Sequence, residues 1–216
     1  MRDAANGQAR PAGARGEPLL AALWWFELRG AGNAAGLERE LARTAGPQWG
    51  LRGNRGQLTL RSLDRSGRYL HLSCWRSFGA LLGALHAGPS CAGLDRLGRL
   101  AEVSPGQAVG VGLLGTALPP DDTAHAILVE AHLDGDAARF ELDFGALAGQ
   151  FMHDFGFGGV LLLRSTTDPR AYVGILWWTD PGDRDEAFAS GGFRARHERL
   201  RTTTTHLAIE RARAVG

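Results

Sequence analysis

The chain runs through one succession of elements twice. In the first half, 19–29 reads as an apolar strand, and a helix follows with Leu37 and Leu41 on one face, stopped by Gly46-Pro47. Alternation of Leu58, Leu60 and Ser62 marks a strand over 57–63, and Asp64-Arg65-Ser66-Gly67 turns the chain into a partner strand at 69–75. Ser77 is placed to cap a helix carrying Phe78, Leu81, Leu82 and Leu85 at helical spacing. Gly88-Pro89 breaks that helix, Ser90 can cap a second segment with Leu94 and Leu97, and 107–114 supplies a Gly-rich last strand.

The second half repeats the order. A strand at 126–133 leads through Asp134-Gly135-Asp136 into a helix with Phe140, Phe144, Leu147 and Phe151 on one face. A hairpin follows, 157–166 and 172–178, across Thr167-Asp168-Pro169. Asp183 with Glu186 has the spacing of a capping box, Ser190 opens another helical segment, and 203–211 alternates as a final strand. Trp75 and Trp178 are 103 residues apart and Ser90 and Ser190 are 100 apart, so the halves match in order and nearly in length. A repeat of this size is a duplicated domain and not a solenoid. The expected organisation is a disordered tail at 1–17, one βαββαβ unit at 18–116, a linker at 117–123 and a second unit at 124–216.

Such a unit is α+β, an antiparallel sheet with its helices on one side. The other side of the sheet is bare and must be buried against a second sheet. The duplication allows that within one chain, and two chains could equally do it as a homodimer.

Composition excludes several classes of function. All 24 basic residues are Arg, a mark of a GC-rich genome, and they are interspersed with 23 acids to a net charge of +1, so no nucleic-acid surface is expected. Two cysteines, Cys74 and Cys91, are too few for a disulfide framework or a zinc site. No apolar run reaches the length of a membrane span. The run Leu19 to Phe26 meets Glu27 and Arg29 without a small-residue cleavage site, so it is not a signal peptide, and a cytoplasmic protein is expected.

The densest local pattern is Trp178-Thr179-Asp180 followed by Ser190, Phe193 and His197. Phe193, His197 and Leu200 fall at i, i+4 and i+7, which makes His197 the one polar group on a stripe expected to face the sheet. Counted from the serine at each helix break, the first half has Leu97 where the second has His197.

This pattern resembles the antibiotic biosynthesis monooxygenase family, ferredoxin-like βαββαβ domains that pair as a dimeric α+β barrel. In that family a strand ending in Trp is followed by a Trp-x-Ser/Asp turn and a helix of the form Ser-x-x-Phe-x-x-x-His. Trp75-Arg76-Ser77 repeats the turn in the first half. The resemblance implies a cavity between sheet and helices and a cofactor-independent oxidation of a small aromatic or hydrophobic substrate, expected in the second half. A base removes a proton, and the resulting anion reacts with oxygen in a pocket that excludes water. His197 is the candidate catalytic base, with an imidazole that titrates in the useful range. Trp178, Tyr172, Phe193, Glu130 and His132 are the candidate substrate-binding residues.

Two other readings stand beside it. One is a barrel without catalysis that binds a hydrophobic small molecule or only dimerises, with His197 a hydrogen-bonded core histidine. The other is a haem protein, since His197 aligns with the iron ligand of haem-degrading relatives. The assisting Asn and Trp of those relatives correspond to Ala131 and Ala187, so no cofactor is expected and haem would be bound through His197 alone.

Overall fold

A computed structural model describes residues 19–45, 52–86, 89–115, 118 and 124–215. The expected tail at 1–17, the Gly46-Pro47 stop and the linker at 117–123, Leu118 apart, lie outside those residues, as do the side chains of Leu85, Ser90, Cys91 and Leu94.

The first half comprises β1 (Leu20–Leu28), α1 (Ala34–Ala45), β2 (Asn54–Ser62), β3 (Arg68–Trp75), α2 (Phe78–His86), α3 (Pro89–Leu100) and β4 (Ala101–Gly115). The second comprises β5 (His125–Leu133), α4 (Ala137–Gln150), β6 (Phe157–Ser165), β7 (Ala171–Trp178), α5 (Pro181–Ala189), α6 (Gly191–Arg201) and β8 (Thr204–Ala214). The eight strands close into one antiparallel barrel in the order β1-β3-β2-β8-β5-β7-β6-β4. The bare faces of the two sheets therefore meet within a single chain, the dimeric α+β barrel built as a tandem repeat.

Closure comes from the strand edges. β2 pairs with β8 through Leu60↔Ala214 and Ser62↔Ala212. β4 pairs with β1 over 101–109 and then with β6 over 108–115. This double duty makes β4 longer than the 107–114 that Gly-rich composition marked, and it carries Pro105 in the strand where only one neighbour is present. Inward-facing side chains from all eight strands form one apolar core, among them Leu23, Leu58, Leu72, Ala108, Leu128, Leu161, Trp177 and Ala212. Cys74 lies in that core, where burial pushes its thiol up to about 12 and leaves it inert.

Each sheet's outward face is covered by its own helices. In the second half α4 presents Phe140, Phe144, Leu147 and, just past its end, Phe151, all buried against β5–β7. α4 begins at Asp136, whose carboxylate accepts from the Ala138 backbone N–H. α5 is capped by Asp180, which accepts from the N–H groups of Gly182 and Asp183, and not by Asp183 as the capping-box spacing suggested. Pro181 in the first turn lacks an N–H, so the chain turns helical three residues earlier. Ser190 caps α6 through the Phe193 N–H at 3.0 Å.

The duplication reaches individual contacts. Tyr69 donates to Glu38 at 2.8 Å, with Arg61 3.2 Å from the same carboxylate. In the second half, 103 residues on, Tyr172 donates to Glu141 at 2.8 Å with Arg164 at 3.8 Å. Each set pins the first helix of its repeat to its sheet. Burial and the carboxylate push both phenols above their ordinary range. Tyr69→Phe and Tyr172→Phe should each cost about 1 kcal/mol, since each deletes one charge-assisted hydrogen bond. Urea denaturation of the two variants checks this, and a large difference between them would mean the two clamps are not equivalent.

Candidate ligand site

The six residues singled out from the sequence occupy three separate places. Trp178 and Tyr172 both face the helices from β7, but they stand six positions apart along the strand, about 20 Å. Tyr172 sits at one end against Phe140, ring centres 5.0 Å apart. Trp178 is fully buried at the other, edge-on to Phe151 at 5.5 Å and Phe157 at 5.2 Å. Phe193 joins that end, 6.3 Å from Phe151 and 5.1 Å from Phe188. His197 is half-buried and stacks on Phe193 at 6.5 Å; its ring makes no hydrogen bond among the described residues. Glu130 and His132 lie on the opposite side of the sheet, facing the barrel mouth.

The sheet-helix layer of the second half holds a small hollow of about 80 Å³ at its edge, between α4 and the strands β4 and β6, bordered by Phe144, Val160 and Leu162. Phe144 rests directly on Gly174 of β7, where an added Cβ would stand 2.5 Å from the ring. A cleft of about 510 Å³ does open nearby, outside this layer, between the end of α4 and the start of α5. Phe151, Asp154, Asp183, Glu186 and Ser190 line it, whereas Trp178, Tyr172 and His197 do not.

The matching layer of the first half is built differently. Pairing across β1, β3 and β2 sets Trp24, His71 and Thr59 in one row and Ala22, Ser73 and Gln57 in the next, all on the helix-facing side. The equivalent rows in the second half are Val129, Gly174 and Leu162, then Ile127, Leu176 and Val160, apolar throughout. His71, Ser73 and Gln57 are buried, His71 with 6% of its surface exposed. The Thr59 hydroxyl lies 2.9 Å from His71 Nδ1, and Trp75 Nε1 donates to Ser73 at 3.0 Å. Burial alone pulls the imidazole down to about 4, so it is neutral at physiological pH. In the second half Leu176 replaces Ser73, and the buried Trp178 Nε1 has no hydrogen-bond partner among the described residues.

His71 carried a signal that sequence reasoning passed over. Tyr69, His71, Ser73 and Trp75 alternate on one strand, so the histidine shares the face of the motif tryptophan. Backbone bonding also revises the match of the halves at the last helix. Arg29 N–H donates to Leu100 and Asp134 N–H to Thr203, which places Leu97 opposite Leu200 and not opposite His197.

A second polar group closes one end of the barrel. Arg68 is 2.6 Å from Glu130 and 3.8 Å from Glu210, with Glu27 at 3.3 Å, and its guanidinium lies 4.5 Å from the Trp25 ring centre. Ser62 donates to Glu210 at 2.9 Å and Arg65 approaches it at 3.4 Å. Loss of water raises the Glu130 carboxyl, and this outweighs Arg68, which two other carboxylates share. Farther out, His132 bridges Thr205 and Asp168, each at 3.1 Å.

One face of the His197 ring is stacked on Phe193, which packs in turn on Phe151 and Phe188, and Ala131 and Ala187 stand where haem-degrading relatives carry their assisting groups. No group of three metal-binding side chains occurs among the described residues, and no described helix is long and apolar enough to cross a membrane.

A tandem barrel with one apolar helix layer and one that carries buried polar side chains thus defines the architecture of the chain. No family model and no curated protein matches its sequence. Among solved structures it is similar over its whole length to two proteins each named "putative monooxygenase". The one from Fusobacterium nucleatum has a TM-score of 0.76 at 9% identity, covering 94% of both chains. The one from Lactobacillus acidophilus has a TM-score of 0.72 at 10% identity, covering 93% of this chain and 95% of the other. A protein named anthrone oxidase-like has a TM-score of 0.71 at 14% identity, covering 94% and 93%. The chain therefore has the fold of these proteins, a monooxygenase-like dimeric α+β barrel.

Proposed function

We propose that this protein binds a small aromatic or hydrophobic molecule between a sheet and its helices and oxidises it with molecular oxygen, without a resident cofactor. The observation that carries this reading is the whole-length agreement of the tandem barrel with a protein named for anthrone oxidation. Apolar walls under the helices support it, because they keep water from an electron-rich anion and from reactive oxygen species. For an anthrone the net reaction turns the ring CH₂ into a carbonyl: one oxygen atom bonds to that carbon, and the other leaves as water with its two hydrogens. His197, at the aromatic end of the second half, remains the base proposed for that half, with Phe193 stacked against it.

A second reading, a barrel without catalysis that binds a small molecule or only dimerises, is favoured by one observation. Phe144 seated on Gly174 leaves the second half's layer packed like an ordinary core.

Oxygen uptake with anthrone by chelator-treated protein tests the proposal. The expected result is one anthraquinone per O₂ consumed, above the uncatalysed rate, with label from ¹⁸O₂ in the new carbonyl. Saturable anthrone binding without turnover would establish the second reading in its binding form, and neither binding nor turnover would overturn that form and the oxidation alike.

A further inference from the structure

We infer that the cleft between the end of α4 and the start of α5 is a contact between two copies of this chain, in which Phe155 of each copy enters the cleft of the other and Arg194 of each faces the other's carboxylates. The inference stands on the cleft's own residues and holds whether or not the barrel oxidises a ligand.

The surface around the cleft is poorly suited to water. Phe155 has 90% of its surface exposed, more than any other large apolar side chain among the described residues, and Met152, three residues before it, has 53%. Beside them lies the cleft of about 510 Å³, with Phe151 in its lining. A cavity of about 150 Å³ is enough to hold a benzene ring, so the cleft has room for a phenylalanine side chain. Phe155 borders its own cleft, yet so exposed a ring does not fill it.

Charge selects the occupant. Asp154, Asp183 and Glu186 line the cleft, and none of the three has an ion-pair partner among the described residues. Elsewhere this Arg-rich chain pairs its surface acids: Glu40 with Arg43 and Arg96, Asp64 with Arg211, Glu198 with Arg201. Arg194 is the complementary group. It lies one helical turn beyond Ser190, which also lines the cleft, and its backbone N–H donates to the Ser190 carbonyl at 3.2 Å. Exposed near the start of α6, its guanidinium too has no ion-pair partner among the described residues.

An exposed ring, a set of unpaired acids and an unpaired cation thus share one surface. A patch that carries both members of a charge pair is self-complementary, and a two-fold axis is the operation that brings each member to its mate. Every contact is then made twice. A small amine in the cleft would pair with the acids but leave Phe155 in water and Arg194 without a partner, so a second copy satisfies more of the surface.

Sedimentation velocity of the full chain over a concentration series tests this. The expected result is a monomer-dimer equilibrium that shifts to monomer as salt rises, because exposed charge pairs are screened. Phe155→Ser should weaken the dimer by at least about tenfold. Glu186→Arg and Arg194→Glu should each do so alone. An equimolar mixture of those two variants should recover most of the affinity, since one of its two charge contacts is intact and the other is swapped in sign. All three positions are exposed, and thermal melts verify that the variants fold. A monomer at every concentration would overturn the inference, as would a dimer indifferent to Phe155→Ser or a mixture that recovers nothing. Saturable benzylamine binding to such a monomer, lost in Glu186→Arg, would assign the cleft to a small cation instead.

Discussion

Replacing Arg68 with methionine should lower the stability of the protein by about 3 kcal/mol, because it leaves the half-buried Glu130 without its counter-ion and the buried Glu210 with Arg65 alone. Glu210 is 2% exposed and recovers little water when the guanidinium is removed, whereas Glu130, with 23% of its side chain exposed, recovers part of it. The loss also reaches the joint between the halves, since Arg68 belongs to the first repeat and both acids to the second. Glu27, with 58% of its side chain exposed, is the internal control: Glu27→Gln should cost less than about 1 kcal/mol. The triple variant Arg68→Met, Glu130→Leu, Glu210→Met should regain most of the loss, as apolar side chains need no counter-ion. The sign of the pH dependence follows from Glu130. Its carboxyl is raised in the folded state, so the folded protein takes the proton first. This group opposes folding above its raised value, and that opposition is relieved as pH falls towards the ordinary carboxylate range. Urea denaturation at several pH values measures all of this. A loss below about 1 kcal/mol for Arg68→Met would show that water reaches the acids and that the cluster is not a buried one.

This cluster illustrates which parts of the architecture can be read from a sequence. Duplication was legible because Trp75 and Trp178, the turns after them and the apolar stripes recur at matching spacing. Closure of the barrel was not, since the choice between two sheets meeting in one chain or across two depends on edges such as Ser62↔Ala212, which carry no periodic signal. Arg68 and Glu130 sit on inward faces that alternation assigns, but their meeting requires the closed barrel. Glu130 was therefore legible as a face and not as a partner.

The candidate site fared differently for a geometric reason. At 100° per residue, His197 stands 40° to one side of Phe193 and Leu200 stands 20° to the other, so the histidine lies at the edge of the stripe. Phe193 and Leu200 are buried accordingly, and His197 is only half so. His71 was missed because no motif contains it. Its setting under the helices was implied by the same alternation that placed Trp75, and the contrast with Gly174 only becomes visible when the two halves are superposed on their shared clamp.

That contrast yields the other large expected effect. Phe144→Ala should cost about 3–5 kcal/mol, the usual loss for truncating a fully packed phenylalanine. Phe144 is 2% exposed, touches Phe140 at 6.2 Å and covers Gly174. Gly174→Ala in the unaltered protein should cost about 1–3 kcal/mol by overpacking, because its Cβ would press into the Phe144 ring from 2.5 Å away. Gly174 does not have a positive φ, so alanine brings no backbone strain and the whole penalty belongs to that one contact. In the Phe144→Ala background the same Gly174→Ala change should cost less than about 0.5 kcal/mol, and it can turn favourable by filling part of the cavity. The coupling between the two substitutions is thus expected to be nearly as large as the Gly174→Ala penalty itself. Additive effects would mean that Phe144 leaves its seat readily, and the second half's layer would then be open to a ligand after all. Strong coupling would mean that Phe144 keeps its seat on Gly174, and a ligand in the second half would then have to lie to one side of that glycine, where the small hollow beside Phe144, Val160 and Leu162 opens.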